Sequence, residues 1–171
     1  MKPSYIIFDA VGITDQVESN YAKLRTMIAW QHSYPERLKF NNFEDVVFCA
    51  SHHGLLEANI APYLAKKLDE ADNVIILASE RLNIKSGILN WQVDYARRNN
   101  LPFIVAYVGL DRIDYDAIDA HASWLPVNLQ KAQKEGLKIV HIPFTLDKIE
   151  RACKNFSKER GVYGITGKTI Y

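Results

Sequence analysis

Four short runs that are apolar at almost every position constrain this chain most. They are Tyr5-Ile6-Ile7-Phe8, Val74-Ile75-Ile76-Leu77-Ala78, Phe103-Ile104-Val105-Ala106-Tyr107-Val108 and Lys138-Ile139-Val140-His141-Ile142. A strand with one wet face alternates apolar and polar residues. A run without alternation must be covered on both faces, as in a parallel sheet sandwiched between helices. Each run closes on a polar or turn-forming residue: Asp9 and Gly12, Ser79, Gly109, and Pro143.

Helical stripes fill the gaps. Val17, Tyr21, Leu24 and Ile28 recur at three- and four-residue spacing behind a capping-box-like start at Asp15 and Glu18. Leu56, Ile60, Tyr63, Leu64 and Leu68 form a second stripe. Leu89, Val93 and Ala96 form a third after the N-cap residue Ser86. Leu146, Ile149, Ala152, Cys153 and Phe156 form a fourth, and a shorter helix is expected near Asn128 to Glu135. Alternating strands and helices predict a doubly wound α/β sandwich, with a parallel sheet of about five strands and helices on both faces. The run Val74–Ala78 should lie between the Tyr5–Phe8 and Phe103–Val108 strands. Residues 33 to 51, with Phe40, Phe43 and Val46-Val47-Phe48, suggest one more strand and a long loop; residues 110 to 136 open with an acidic loop.

The length of 171 residues suits one domain, and no repeat or Pro/Gly/Ser-rich linker divides residues 1–171. With 48% hydrophobic and 24% charged residues, the chain is neither a disordered tail nor a fibre. The net charge of +1 supplies no global field for nucleic acid or an anionic membrane, so neither is expected as a partner. No apolar run reaches the length of a bilayer span, and the first residues turn polar too soon for a signal peptide. A soluble, cytoplasmic protein is expected, with Cys49 and Cys153 as reduced core thiols.

Several motifs fall to simpler readings. Gly164-Ile165-Thr166-Gly167-Lys168-Thr169 imitates a phosphate-binding loop, but Val162 stands where its first glycine belongs and no helix follows. A tail or edge strand is the better reading. Asp111, Asp114, Asp116, Asp119 and His121 lack the spacing and central glycine of a calcium loop. His52 and His53 have no partner at zinc-ligand spacing, so no metal site is expected. A receiver domain would need an acidic pair after the first strand, where only Asp9 stands, and Val11-Gly12-Ile13-Thr14 matches a flavin phosphate loop poorly.

The segment Asp72 to Gly109 is specific. An apolar strand ending in Ser79 is followed by a short polar loop, a helix containing Trp91-Gln92-Val93-Asp94-Tyr95-Ala96, and then Leu101-Pro102-Phe103-Ile104-Val105-Ala106-Tyr107. This resembles the TIR-like proteins of bacteria, above all the Thoeris antiphage TIR family. Tyr21 to Trp30 and Val140 to Phe144 extend the likeness more weakly. The resemblance implies a flavodoxin-like fold and an enzyme that cleaves the nicotinamide glycosidic bond of NAD. The ADP-ribose-derived product would then signal to a downstream effector protein. NAD would be the substrate, and no separate cofactor is implied.

Two departures from the family pattern stand out. The catalytic Glu of the motif Glu-Ile-x-Tyr-Gly falls on Gln92, and the Phe-x-Phe-x-Asp-x-His segment is represented by Leu38 to Glu44, without the Asp or the His. On a helical wheel Gln92 lies on the flank of the buried stripe, whereas Asp94 points away and is a poor substitute. Gln92 reads three ways: an engineered knock-out, the mark of a natural non-catalytic relative, or an ordinary surface glutamine. A nucleoside deoxyribosyltransferase would share the architecture but needs a nucleophilic Glu at the pocket, and none is apparent.

Ligands of open parallel sheets bind beyond the carboxyl ends of the strands, where the strand order switches. The expected site therefore joins Asp9, Ala10 and Gly12 after the first strand, Ser79 and Arg81 after the next, and Gln92 as the third wall. Arg81 would reach the pyrophosphate by charge-assisted hydrogen bonds. Trp91, opposite the buried stripe on the wheel, suggests an exposed contact face and self-association. The alternative to an enzyme is a TIR-like scaffold that binds a nucleotide or assembles.

Overall fold

A computed structural model of the chain describes residues 2–8, 20–41, 57–159 and 168–171. In chain order the elements are β1 (Ser4–Ile7), α1 (Asn20–Ser33), α2 (Glu57–Glu70), β2 (Asn73–Ala78), α3 (Gly87–Arg98), β3 (Phe103–Tyr107), α4 (Tyr115–Ala120), α5 (Val127–Lys134), β4 (Ile139–Pro143), α6 (Leu146–Asn155) and β5 (Lys168–Ile170). The strands form one parallel sheet in the order β1-β2-β3-β4-β5, so β2 lies between β1 and β3 as expected.

Every residue of β1 to β4 is buried, which is why these runs carry no polar alternation. Helices cover both faces. α3 is tied to α2 by Tyr95, whose hydroxyl donates to Asp69 (3.0 Å), and to α5 by the Arg97–Glu135 ion pair (2.8 Å). On the other face α1 meets α6. Trp30 stacks on Phe144 just before α6, with ring centres 5.2 Å apart, and Arg37 after α1 pairs with Asp147 (2.8 Å) and Glu150. The result is a flavodoxin-like sandwich.

The switch in strand order is legible beside β1. Ser4 pairs with Asn73 of β2, and it also forms a parallel bridge to Phe40, with Ser4 N–H donating to the Lys39 carbonyl (2.8 Å). The chain after α1 thus returns to one side of β1, while α2 leads to β2 on the other. The carboxyl ends of β1 and β2 border this reversal.

Side-chain caps explain where two of the helices start. Ser86 Oγ accepts from Leu89 N–H (3.3 Å) as the N-cap of α3. The expected acidic loop is partly helical instead. Asp114 Oδ1 accepts from Ala117 N–H (2.8 Å) and starts α4, so this aspartate is a cap. The tail is an edge strand, with Lys168–Ile170 pairing with β4. Cys153 is a buried free thiol, and burial pushes its pKa up to about 12. The Asp15–Glu18 cap, Phe43, Val46–Phe48, Cys49, His52 and His53 lie outside the described residues. Among the described residues no helix is long and apolar enough to cross a membrane.

Candidate functional site

Gln92 is fully buried, which excludes the reading of a surface glutamine. It lies where α3 packs beneath the end of β1, and its carboxamide uses both ends there. Oε1 accepts from the Tyr5 hydroxyl (2.8 Å) and, at 3.5 Å, from Phe8 N–H. Nε2 donates to the Phe8 carbonyl (2.7 Å) and to the Ile88 carbonyl one turn back (3.0 Å). An amide has two acceptor sites and two donors, and all four are engaged. A group placed this way fixes Phe8, the first residue past β1.

The β2 end is organised by a residue the sequence reading missed. Asn20, the first residue of α1, accepts through Oδ1 from the Ser79 hydroxyl (2.7 Å) and donates through Nδ2 to the Leu77 carbonyl (3.1 Å). Ser79 Oγ in turn accepts from Arg81 N–H (3.3 Å), and Ser79 is buried. The register pairing Ile7 with Ile76 sets Phe8 beside Leu77. The polar atoms around Gln92 and those around Asn20 therefore lie at neighbouring strand ends.

Of the expected site residues, Gln92 and Ser79 stand at these adjoining ends. Arg81 is exposed on the turn after β2, and its backbone N–H is what contacts Ser79. Asp9, Ala10 and Gly12 lie outside the described residues. Trp91 is a correction: it is half-buried, packed on the core and tilted against Tyr95 with ring centres 5.3 Å apart. The helical wheel misses this because α2 and α5 flank α3 and cover more than its innermost stripe. Asp94 does point away from the strand end, and it accepts from Asn128 Nδ2 of α5 (2.7 Å).

Two other polar features lie apart from this edge. Beneath β3 and β4, the Tyr107 hydroxyl meets His141 Nδ1 at 3.0 Å, and Gln133 approaches the other ring nitrogen at 3.5 Å. His141 is fully enclosed, so the group is internal bracing; burial, and to a lesser degree the charge of Asp119, pushes the Tyr107 phenol well above its usual range. A hollow bordered by Lys2, Asp72, Ser157 and Glu159 lies at the opposite, amino end of the strands, where Lys2 and Glu159 pair at 2.9 Å. Among the described residues no cluster of His, Cys, Asp and Glu could hold a metal ion.

Tyr5 carried one usable signal: a tyrosine inside a fully buried strand needs a partner for its hydroxyl. Asn20 carried none, because its partner Ser79 is 59 residues away. No protein-family model matches this sequence.

Proposed function

We propose that the chain is a TIR-like domain directed at NAD. The dinucleotide would lie across the carboxyl ends of β1 and β2, in the setting of antiphage defence. The reaction class is cleavage of the nicotinamide–ribose bond, giving an ADP-ribose-derived signal for a downstream effector. The observation that carries this reading is the position of Gln92, an internal side chain brought by α3 to Phe8, just past β1 at the strand-order switch. In the family motif this position belongs to a carboxylate. In that family such a group stabilises the oxocarbenium-like ribose carbon and orients the ribose hydroxyls; here the enclosed Gln92 side chain would have to leave Phe8 to do so. A carboxamide keeps the size and shape of the acid but cannot balance the developing positive charge. In its present form the chain therefore binds NAD with little cleavage.

A second reading has its own support. The four engaged hydrogen bonds of Gln92 suit a structural amide better than a silenced acid, as in a non-catalytic nucleotide-binding or self-assembling scaffold.

Calorimetric titration with NAD, together with chromatography of released nicotinamide, tests both readings on the parent chain and on Gln92→Glu. The enzyme reading expects binding by both forms, and release by the variant faster by a factor on the order of a thousand. Binding without release in either form supports the scaffold. Equal release from both removes Gln92 from the chemistry, and no NAD binding by the parent overturns the assignment to NAD.

A further inference from the structure

We propose that Asn90 couples the loop after β2, residues 79–86, to the first turn of α5, so that the loop opens and the helix start frays as one event. The inference goes beyond the NAD reading and needs no ligand.

The first backbone N–H groups of a helix have no partner within it. α5 starts behind Pro126, whose side chain supplies no cap. Two of its N–H groups are served from outside instead. Val127 N–H donates to the Ile84 carbonyl (3.1 Å), and Asn128 N–H donates to Asn90 Oδ1 (2.8 Å), so the cap comes from the loop and from α3. The other end of the same carboxamide holds the loop. Asn90 Nδ2 donates to the Ile84 carbonyl (2.8 Å) and to the Ser86 carbonyl (2.9 Å). Upstream, Ser86 N–H reaches the Asn83 carbonyl (3.0 Å) and Leu82 N–H reaches the Ser79 carbonyl (3.2 Å), so the held end continues into the turn that carries Arg81.

Swinging the loop outward takes the Ile84 carbonyl from Val127 N–H and from Asn90 Nδ2 together. The carboxamide then loses one of the two bonds that aim its oxygen at Asn128. Fraying of α5 acts in the opposite direction, removing one of the two donors on the Ile84 carbonyl, and such linkage is reciprocal. The loop carries Ser79 and Arg81, so the shape presented past β2 is tied to the state of α5.

The test is amide hydrogen exchange in the full chain, read at Ser86 on the loop side and at Val127 and Asn128 on the helix side. Asn90→Asp keeps an acceptor for Asn128 N–H, at a helix start that favours negative charge, but sets a carboxylate oxygen where Nδ2 held the loop. Ser86 and Val127 should then exchange about tenfold faster, the worth of roughly one lost hydrogen bond, while Asn128 stays at the parent rate or slower. Parent rates at Ser86 and Val127 overturn the latch.

Lys85→Gly perturbs from the loop side, at an exposed residue. The added backbone freedom should raise exchange at Ser86 about twofold to fivefold. Asn128 is the diagnostic amide, because its acceptor sits on α3 and not on the loop. Coupling expects Asn128 to accelerate with Ser86, about twofold or more. Acceleration at Ser86 with Asn128 at the parent rate overturns the coupling and leaves Asn90 as a cap alone.

Discussion

Replacing Gln92 by Glu changes one donor group into an acceptor at a site that needs donors. In the parent, Nε2 lies 2.7 Å from the Phe8 carbonyl and 3.0 Å from the Ile88 carbonyl, in a fully buried setting. An ionised glutamate side chain in the same rotamer would place a carboxylate oxygen against both carbonyls, taking this donor from the Phe8 carbonyl, while the Ile88 carbonyl keeps its helical bond from Gln92 N–H. The lost donor costs about 1–3 kcal/mol, and desolvation of the unpaired carboxylate adds several kcal/mol, in part relieved by the Tyr5 hydroxyl and Phe8 N–H. The alternative is to keep the acid protonated, so that its O–H serves one carbonyl. Holding that proton at pH 7 against an ordinary pKa near 4.3 costs about 3.7 kcal/mol, at roughly 1.36 kcal/mol per unit. Either route predicts a loss of about 3–5 kcal/mol at pH 7.

The pH dependence follows from the raised folded-state pKa of such an acid. Stability is fully present below the unfolded value near 4.3, and it is lost as pH rises toward the folded value. Urea unfolding followed by circular dichroism at pH 7 and pH 4.5 should therefore show the variant recovering about 2 kcal/mol or more relative to the parent on acidification. Gln92→Met, which cannot titrate, should be destabilised about equally at both pH values. A Gln92→Glu protein within about 0.5 kcal/mol of the parent at pH 7 would refute the argument, because the carboxylate would then occupy some other, better solvated position.

Three further outcomes follow from the fold. Cys153, enclosed and with its pKa raised to about 12, should resist a thiol reagent at pH 8 in a Cys49→Ser background; since its folded pKa is raised from 9, its share of stability should be lost as pH climbs from about 9 to 12, a slope absent in Cys153→Ala and read from urea midpoints. Gly109 has φ +83 with open space around it, so Gly109→Ala should cost about 1–2 kcal/mol through backbone strain alone, measurable as a lower Tm. Glu150 is held below its usual pKa by its hydrogen bonds to Arg37 first and Lys154 second, so its contribution is present above the ordinary carboxylate pKa and fades as pH falls through the lowered value. Glu150→Gln should flatten that acid limb only slightly, and less still in high salt.

The layered architecture was written in local pattern. Continuous apolar runs can only be strands covered twice, and the helical stripes between them dictate which side of each helix turns inward. Ser86 as a cap and the burial of Leu89, Val93 and Ala96 follow from spacing along a few residues of chain. Gln92 could be placed at the edge of that buried stripe for the same reason. What its carboxamide touches could not, because Tyr5 and Phe8 lie 87 and 84 residues away and meet it only once β1 is laid against α3. Asn20 is the plainer case: a lone polar residue in sequence, it becomes the tie between α1 and β2 through partners 57 and 59 residues distant. Trp91 shows the converse error, since a helical wheel knows one helix and α3 has neighbours on both flanks. Periodicity records which residues must avoid water; which polar atoms find each other is decided by the register and crossing of elements that close long loops, and that information exists only in the assembled sheet.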